Sequence, residues 1–174
     1  TNEEVLGWCQ SARVLESRAE VLLGSLHPGL VEQIRAAGTQ AEKTRGPYQE
    51  RLRAHAAALR ARPVMEMLAD ADALYWRMVG AWDGLQRRWA GRVAARWRIE
   101  SDDALQVMRL GWYRTAVRWE PARGRYQSAA WAWAMQELLR APEIRSGGIH
   151  FARDGGPVRR AEVYSLSEPV PGLD

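Results

Sequence analysis

Apolar residues recur at intervals of three and four along most of this chain, which predicts α-helices rather than strands. The periodic stretches are separated by prolines and glycines and cover residues 2–23, 28–40, 48–62, 64–98, 102–119 and 126–140. The fourth stretch is long and is expected to break near Gly80 or Gly84. After Pro142 the periodicity fades into a Gly-rich, polar segment. The sequence therefore predicts an all-α helical bundle with an irregular C-terminal tail.

The most informative stretch is 102–140, where two predicted helices meet at a short corner. One face of the first helix is apolar, formed by Leu105, Met108, Trp112, Ala116 and Trp119. Ser101 is expected to be the N-cap, with Asp102 and Asp103 placed favourably at the positive end of the helix dipole. Pro121 should end that helix, and Gly124 permits a tight reversal that other residues resist.

The second helix of this pair carries two tryptophans, Trp131 and Trp133. Residues two apart on a helix lie about 200° apart around its axis. If one indole points into a core, the other should face water or a partner. It is then either a rim residue that packs its flank or a stacking surface for unpaired bases.

Charge is concentrated in the same region, although the whole chain carries only +4. Ten arginines stand against four acids between Leu85 and Tyr126, which leaves +6: Arg87, Arg88, Arg92, Arg96, Arg98, Arg109, Arg114, Arg118, Arg123 and Arg125. Three of them, Arg88, Arg92 and Arg96, step by four along one helix face. That face is either simply solvated or contacts phosphates or a partner, and a local field of this sign suits a polyanion.

Several function classes find no support in the sequence. Cys9 is the single cysteine, so no intramolecular disulfide can form, and the three histidines lack metal-ligand spacing. No nucleophile elbow, phosphate loop, signal peptide or membrane-length apolar run is recognisable. We expect a cytoplasmic protein without enzymatic activity, metal or cofactor.

The corner stretch resembles the central domain of the bacterial RNA polymerase sigma factors. The family pattern reads D-L-x-Q, then G-L-x-x-A-V-x-K/R-F-D-x-x-R-G, then F-S-T-Y-A-x-W-W. After Asp103 and Gln106, eight positions of this chain match in residue or residue type without gaps: Gly111, Arg118, Trp119, Glu120, Arg123, Gly124, Ser128 and Trp133. The resemblance covers about residues 85–140.

In that family the first helix of the pair docks on a coiled coil of the largest polymerase subunit. The resemblance implies this role for Asp103, Gln106 and Arg109, although the family usually has Asn where Arg109 stands. The second helix captures flipped bases of the Pribnow-box promoter element. The resemblance implies DNA contacts for seven residues: Arg123, Arg125, Tyr126, Ser128, Trp131, Trp133 and Arg140.

The chain departs from the family pattern in the base-reading helix. Gln127 replaces an aromatic residue, Ala130 a tyrosine, Ala134 the second wedge tryptophan and Glu137 the base-reading glutamine. Polymerase docking is therefore the better-supported implication, and ordinary promoter melting the weaker one.

Three interpretations remain open from the sequence. The first is a sigma-like initiation factor domain that binds core polymerase and single-stranded promoter DNA, and the second is a regulatory or inhibitory protein that binds polymerase without reading DNA. The third is a structural bundle with an accidental motif. The expected division is a helical N-terminal extension at 1–62, a sigma-like domain at 63–141 and a linker-like tail at 142–174. In the family such a linker leads to a second promoter-reading domain, so the sequence is either part of a longer protein or works without that domain.

Overall fold

The computed structural model describes residues 2–37, 45–97, 99–140, 150–151 and 159–160. Within these residues the chain is helical almost throughout, which confirms the all-α class. The helices are α1 Asn2–Leu26, α2 Leu30–Ala36, α3 Arg45–Ala58, α4 Arg62–Gly80, α5 Asp83–Trp97, α6 Ser101–Arg118 and α7 Tyr126–Arg140. Two two-residue strands, β1 His150–Phe151 and β2 Arg159–Arg160, pair antiparallel. Outside the described residues lie 38–44, Arg98 and all of the predicted tail except 150–151 and 159–160.

Some helix boundaries follow the sequence signals, but α2 is shorter than the predicted 28–40, and α3 begins at Arg45 and ends at Ala58 where 48–62 was predicted. The long fourth stretch breaks between Gly80 and Asp83, as predicted, and α7 has the predicted bounds. The predicted N-cap is wrong, because Ser101 is already the first helical residue of α6 and Glu100 precedes it without a side-chain cap. The acidic first turn of Asp102 and Asp103 is present and still complements the helix dipole.

Two apolar clusters form the interior, and α1 and α4 contribute to both. The larger cluster joins the first half of α1 and the second half of α4 to α5, α6 and α7. The smaller cluster joins the second half of α1 and the first half of α4 to α2 and α3. A helix of 25 residues is about 37 Å long, enough to run past both clusters.

The predicted boundary at residue 62 does not separate two cores. Val5, Cys9 and Ala12 of α1 are buried in the same cluster as Trp112 of α6. Helix α1 therefore belongs to the same core as α6 and is not an appended element. Its apolar positions predicted a buried face, but only tertiary packing could tell which helices it would pack against.

Candidate interface on the last two helices

The corner between α6 and α7 is held by hydrogen bonds on both sides. A 3-10 turn, Pro121–Arg123, is followed by Gly124 at φ 127°, a backbone region that residues with a side chain rarely adopt. The indole Nε1 of Trp119 donates to the carbonyl oxygen of Gly124 at 3.0 Å. From α1, the Arg13 guanidinium donates to the carbonyl oxygen of Trp119. The predicted proline-to-glycine corner is thus present and fixed to the rest of the bundle.

Helices α6 and α7 approach each other most closely at Gly111. A Cβ atom on Gly111 would lie 2.6 Å from Cα of Ala134 and 2.9 Å from its backbone nitrogen. Ala134 itself is completely buried. A larger residue at Gly111 would clash with α7, and the complete burial of Ala134 gives a physical reason for a small residue where the sigma pattern has its second wedge tryptophan.

The acidic start of α6 is exposed. Asp103 and Gln106 are both open to solvent, and Leu110, one turn further on, is 42% exposed. We call these three residues the docking flank. They lie on one side of α6 because their spacing of three and four keeps them on one helix face.

Arg109, the third predicted polymerase contact, is already paired within the chain. Its guanidinium donates to the carboxylate of Asp83, which also accepts a 2.6 Å bond from Arg87. The hydrogen bonds from Arg87 and Arg109 lower the pKa of Asp83 below its ordinary value. Because Arg87 and Arg109 share this one carboxylate, their two charges are only partly offset, and a partner would have to compete with Asp83 for Arg109.

The prediction that Tyr126 contacts DNA does not fit its position. The residue is 3% exposed, and its hydroxyl donates to the carbonyl oxygen of Trp112 at 2.9 Å. Its ring meets that of Trp112 edge-on, with centroids 5.5 Å apart. Burial raises the pKa of the phenol well above its usual value. With no ring face accessible to a base, Tyr126 packs the start of α7 against α6 instead.

The two tryptophans of α7 are both half-buried, at opposite edges of its buried face. The buried positions of α7 (Tyr126, Ala130, Ala134, Glu137 and Leu138) form one arc, and a 100° step per residue puts the two indoles on either side of it. Trp131 packs on the larger cluster against Trp89, with ring centroids 4.1 Å apart. The predicted arrangement of one inward and one outward indole is therefore only partly realised.

Trp133 is covered on one side by a cation and not by the core. The Arg118 guanidinium lies 5.1 Å from the centroid of the indole. A Cβ on Gly46 of α3 would lie 2.9 Å from the Nε of Arg118, so the start of α3 holds this guanidinium against the ring. Of the two indoles, Trp133 is the better candidate for stacking, because its ring neighbour is a single guanidinium, whereas Trp131 packs against another indole.

The remaining predicted DNA contacts are polar and exposed at the two ends of α7. Arg125, Ser128 and Arg140 are open to solvent, and among the described residues neither of the two arginines has a carboxylate within 4.0 Å. Arg123 is also exposed but pairs with Glu120 at 2.6 Å. Arg125 and Arg140 are fifteen residues apart, about 22 Å along the helix, so they could contact only different phosphates of one strand.

Glu137, which stands at the base-reading position of the sigma pattern, has a structural role. It is 8% exposed and accepts a 2.5 Å bond from Arg114 of α6. The outer face of α7 is instead formed by Ser128, Ala132, Gln136 and Leu139, all exposed. This face has no aromatic residue. Once the buried positions of α7 are known, the spacing of the remaining residues is enough to show this.

No group of histidine, cysteine and acidic side chains within the described residues could hold a metal ion. None of the described helices is long and apolar enough to cross a membrane. Comparison with protein families, with curated proteins and with solved structures finds no match. The sigma-like pattern is thus supported only by the residues quoted for it.

Proposed function

We propose that this chain is a sigma-like transcription initiation factor domain that binds bacterial core RNA polymerase through the docking flank. The observation that carries the proposal is the presentation of Asp103 and Gln106, both exposed, on a helix whose other faces are packed against α4, α5 and α7. The ungapped sigma-like spacing of the corner supports the same assignment.

A fixed helix is a suitable docking element. Binding through a mobile segment would cost free energy for ordering it, whereas α6 is already held by buried Met108, Trp112 and Ala116. The carboxylate of Asp103 and the amide of Gln106 provide an acceptor and a mixed donor–acceptor pair, and Leu110 adds apolar area beside them. This combination suits a helical partner surface with arginines at its rim.

Single-stranded promoter DNA is the second part of the proposal. A base would stack on Trp133, and stacking on an aromatic side chain contributes about 1–3 kcal/mol per base. Arg125 and Arg140 would hold phosphates at the two ends of α7, with Arg123 available if its pair with Glu120 opens. The base would have to displace Arg118 from the indole or stack on whatever part of the half-buried ring is exposed.

A second candidate function is favoured because α7 does not expose the side chains that would read DNA. Tyr126 is buried, Trp131 packs on Trp89, and Glu137 is paired with Arg114. A protein that occupies the polymerase through the docking flank without reading DNA, and so inhibits or regulates it, needs none of these side chains at the surface.

An abortive-transcription assay distinguishes the two functions. Core polymerase is supplied with the chain and a template carrying a pre-melted bubble, with and without a resident sigma factor. An initiation factor raises the yield of short transcripts from core polymerase alone. An inhibitor lowers the yield that the resident factor supports, and no effect in either mixture contradicts both functions.

A further inference from the structure

Nine of the ten arginines between Leu85 and Tyr126 lie within the described residues, and they differ in their contacts with the rest of the chain. Four have carboxylate partners: Arg87 and Arg109 share Asp83, Arg114 pairs with Glu137, and Arg123 pairs with Glu120. Arg118 lies over Trp133. The four other arginines that the structure describes have no carboxylate within 4.0 Å among the described residues: Arg88, Arg92, Arg96 and Arg125.

Three of these free arginines form one row on α5. Arg88, Arg92 and Arg96 are all exposed and follow each other at four-residue steps, so each lies about 6 Å further along the helix axis than the last. We call this row the α5 ridge. Three uncompensated guanidinium groups in a line repel one another, and an extended polyanion with regularly spaced charges would relieve that repulsion.

An open cleft lies beside the ridge. It has a volume of about 140 Å³ and is lined by Leu85, Arg88, Trp89 and Arg92. The Trp89 indole in this cleft is the one that packs against Trp131 of α7. The cleft therefore combines an aromatic wall with two cations, and its aromatic pair connects the ridge to the edge of α7.

We infer that the α5 ridge and its cleft bind single-stranded nucleic acid, with the guanidinium groups on successive phosphates and a base or sugar against the part of the Trp89 indole that lines the cleft. Both halves of the arrangement are needed for this ligand, since a phosphate chain uses the cations and an unpaired base uses the indole. An acidic protein surface would use the cations but leave the aromatic cleft without a function. The inference shares a single-stranded ligand with the proposed function but does not depend on polymerase docking.

The test compares two triple variants of the full chain. R88Q/R92Q/R96Q removes the ridge charges, and R18Q/R62Q/R77Q removes three exposed arginines from α1 and α4, so that both proteins have the same net charge. The affinity of each for a fluorescently labelled oligothymidylate is measured by anisotropy across a range of salt concentrations. Circular dichroism confirms that each variant keeps its helix content.

Loss of three phosphate contacts should reduce the slope of log affinity against log salt by about 2, since each contact on a single strand contributes about 0.7. Between 50 and 200 mM salt, wild type should therefore lose about 20-fold more affinity than the ridge variant does. The control variant should keep most of the wild-type slope. Equal slopes for the two triple variants would overturn the inference.

Two further measurements separate this inference from the proposed function. Trp133→Ala removes the stacking residue of the proposed function and no charge, so the ridge should still give the wild-type salt slope while the affinity falls. If the ridge variant loses core polymerase in a pull-down but keeps its affinity for the oligothymidylate, the ridge is a protein contact and the inference is wrong. Tighter binding of a duplex than of the single strand would also contradict it.

Discussion

Replacing Gly111 with alanine tests the closest contact of the α6–α7 pair. The added Cβ would lie 2.6 Å from Cα of Ala134, about 1 Å inside normal carbon–carbon contact distance. The opposing atoms are backbone, so relief requires α7 to move and not a side chain to rotate. Overpacking of this kind costs about 1–3 kcal/mol. The better helix propensity of alanine offsets about 1 kcal/mol of that loss.

Gly91→Ala is the matched control for this substitution. Gly91 lies inside α5, and a Cβ there would meet nothing within 4 Å. This variant should gain about 0.5–1 kcal/mol in the free energy of unfolding. The difference between the two variants removes the propensity contribution and isolates the overpacking cost, so we expect Gly111→Ala to be less stable by about 1–3 kcal/mol.

Urea unfolding followed by tryptophan fluorescence and circular dichroism measures both free energies. The m-values of the two variants should agree, so that the midpoints report stability alone. If Gly111→Ala is as stable as Gly91→Ala, the close approach of α6 and α7 is wrong. The packing argument for alanine at 134 would then fail with it.

Three other variants test single side chains of the candidate interface. Trp133→Ala should weaken binding of the labelled oligothymidylate by about 1–3 kcal/mol, whereas Trp76→Ala, which removes an exposed indole of α4, should not change it. Tyr126→Phe should lower the free energy of unfolding by about 1 kcal/mol, because the hydrogen bond to the Trp112 carbonyl is lost. It should not change the affinity for the oligothymidylate, and a weaker affinity would show that this ring contacts DNA. The lowered pKa of Asp83 stabilises the fold above the unfolded-state pKa of about 4, and this contribution is lost as pH falls through the lower folded pKa. Wild type should therefore lose more stability than Asp83→Asn between pH 7 and pH 3 in urea titrations, and equal losses would contradict the pairing.

The helices of this chain could be predicted from the sequence because their signals are local. Proline and glycine positions mark the breaks at Gly80 and Gly124, and apolar spacing marks α7 from its first to its last residue. These signals depend on neighbours within a few residues, which a single sequence contains in full.

The candidate site was harder to predict because it depends on which helices meet. Periodicity shows that Trp131 and Trp133 point apart, but only the packing of α5 against α7 shows that Trp131 is used against Trp89. The hydrogen bond from Tyr126 to Trp112 is likewise a contact between two helices. Local charge counts could not reveal which arginines are paired with carboxylates, since Arg109 finds its carboxylate on another helix, 26 residues away.

A pull-down with sigma-free bacterial core RNA polymerase tests the central claim most directly. The docking variant D103R/Q106A changes two exposed residues of the flank, and D70R/Q10A makes the same changes at exposed positions of α4 and α1. Wild type and D70R/Q10A should co-purify with the polymerase, and D103R/Q106A should not. Retention of D103R/Q106A at the wild-type level, or failure of wild type to bind, would contradict polymerase docking through α6.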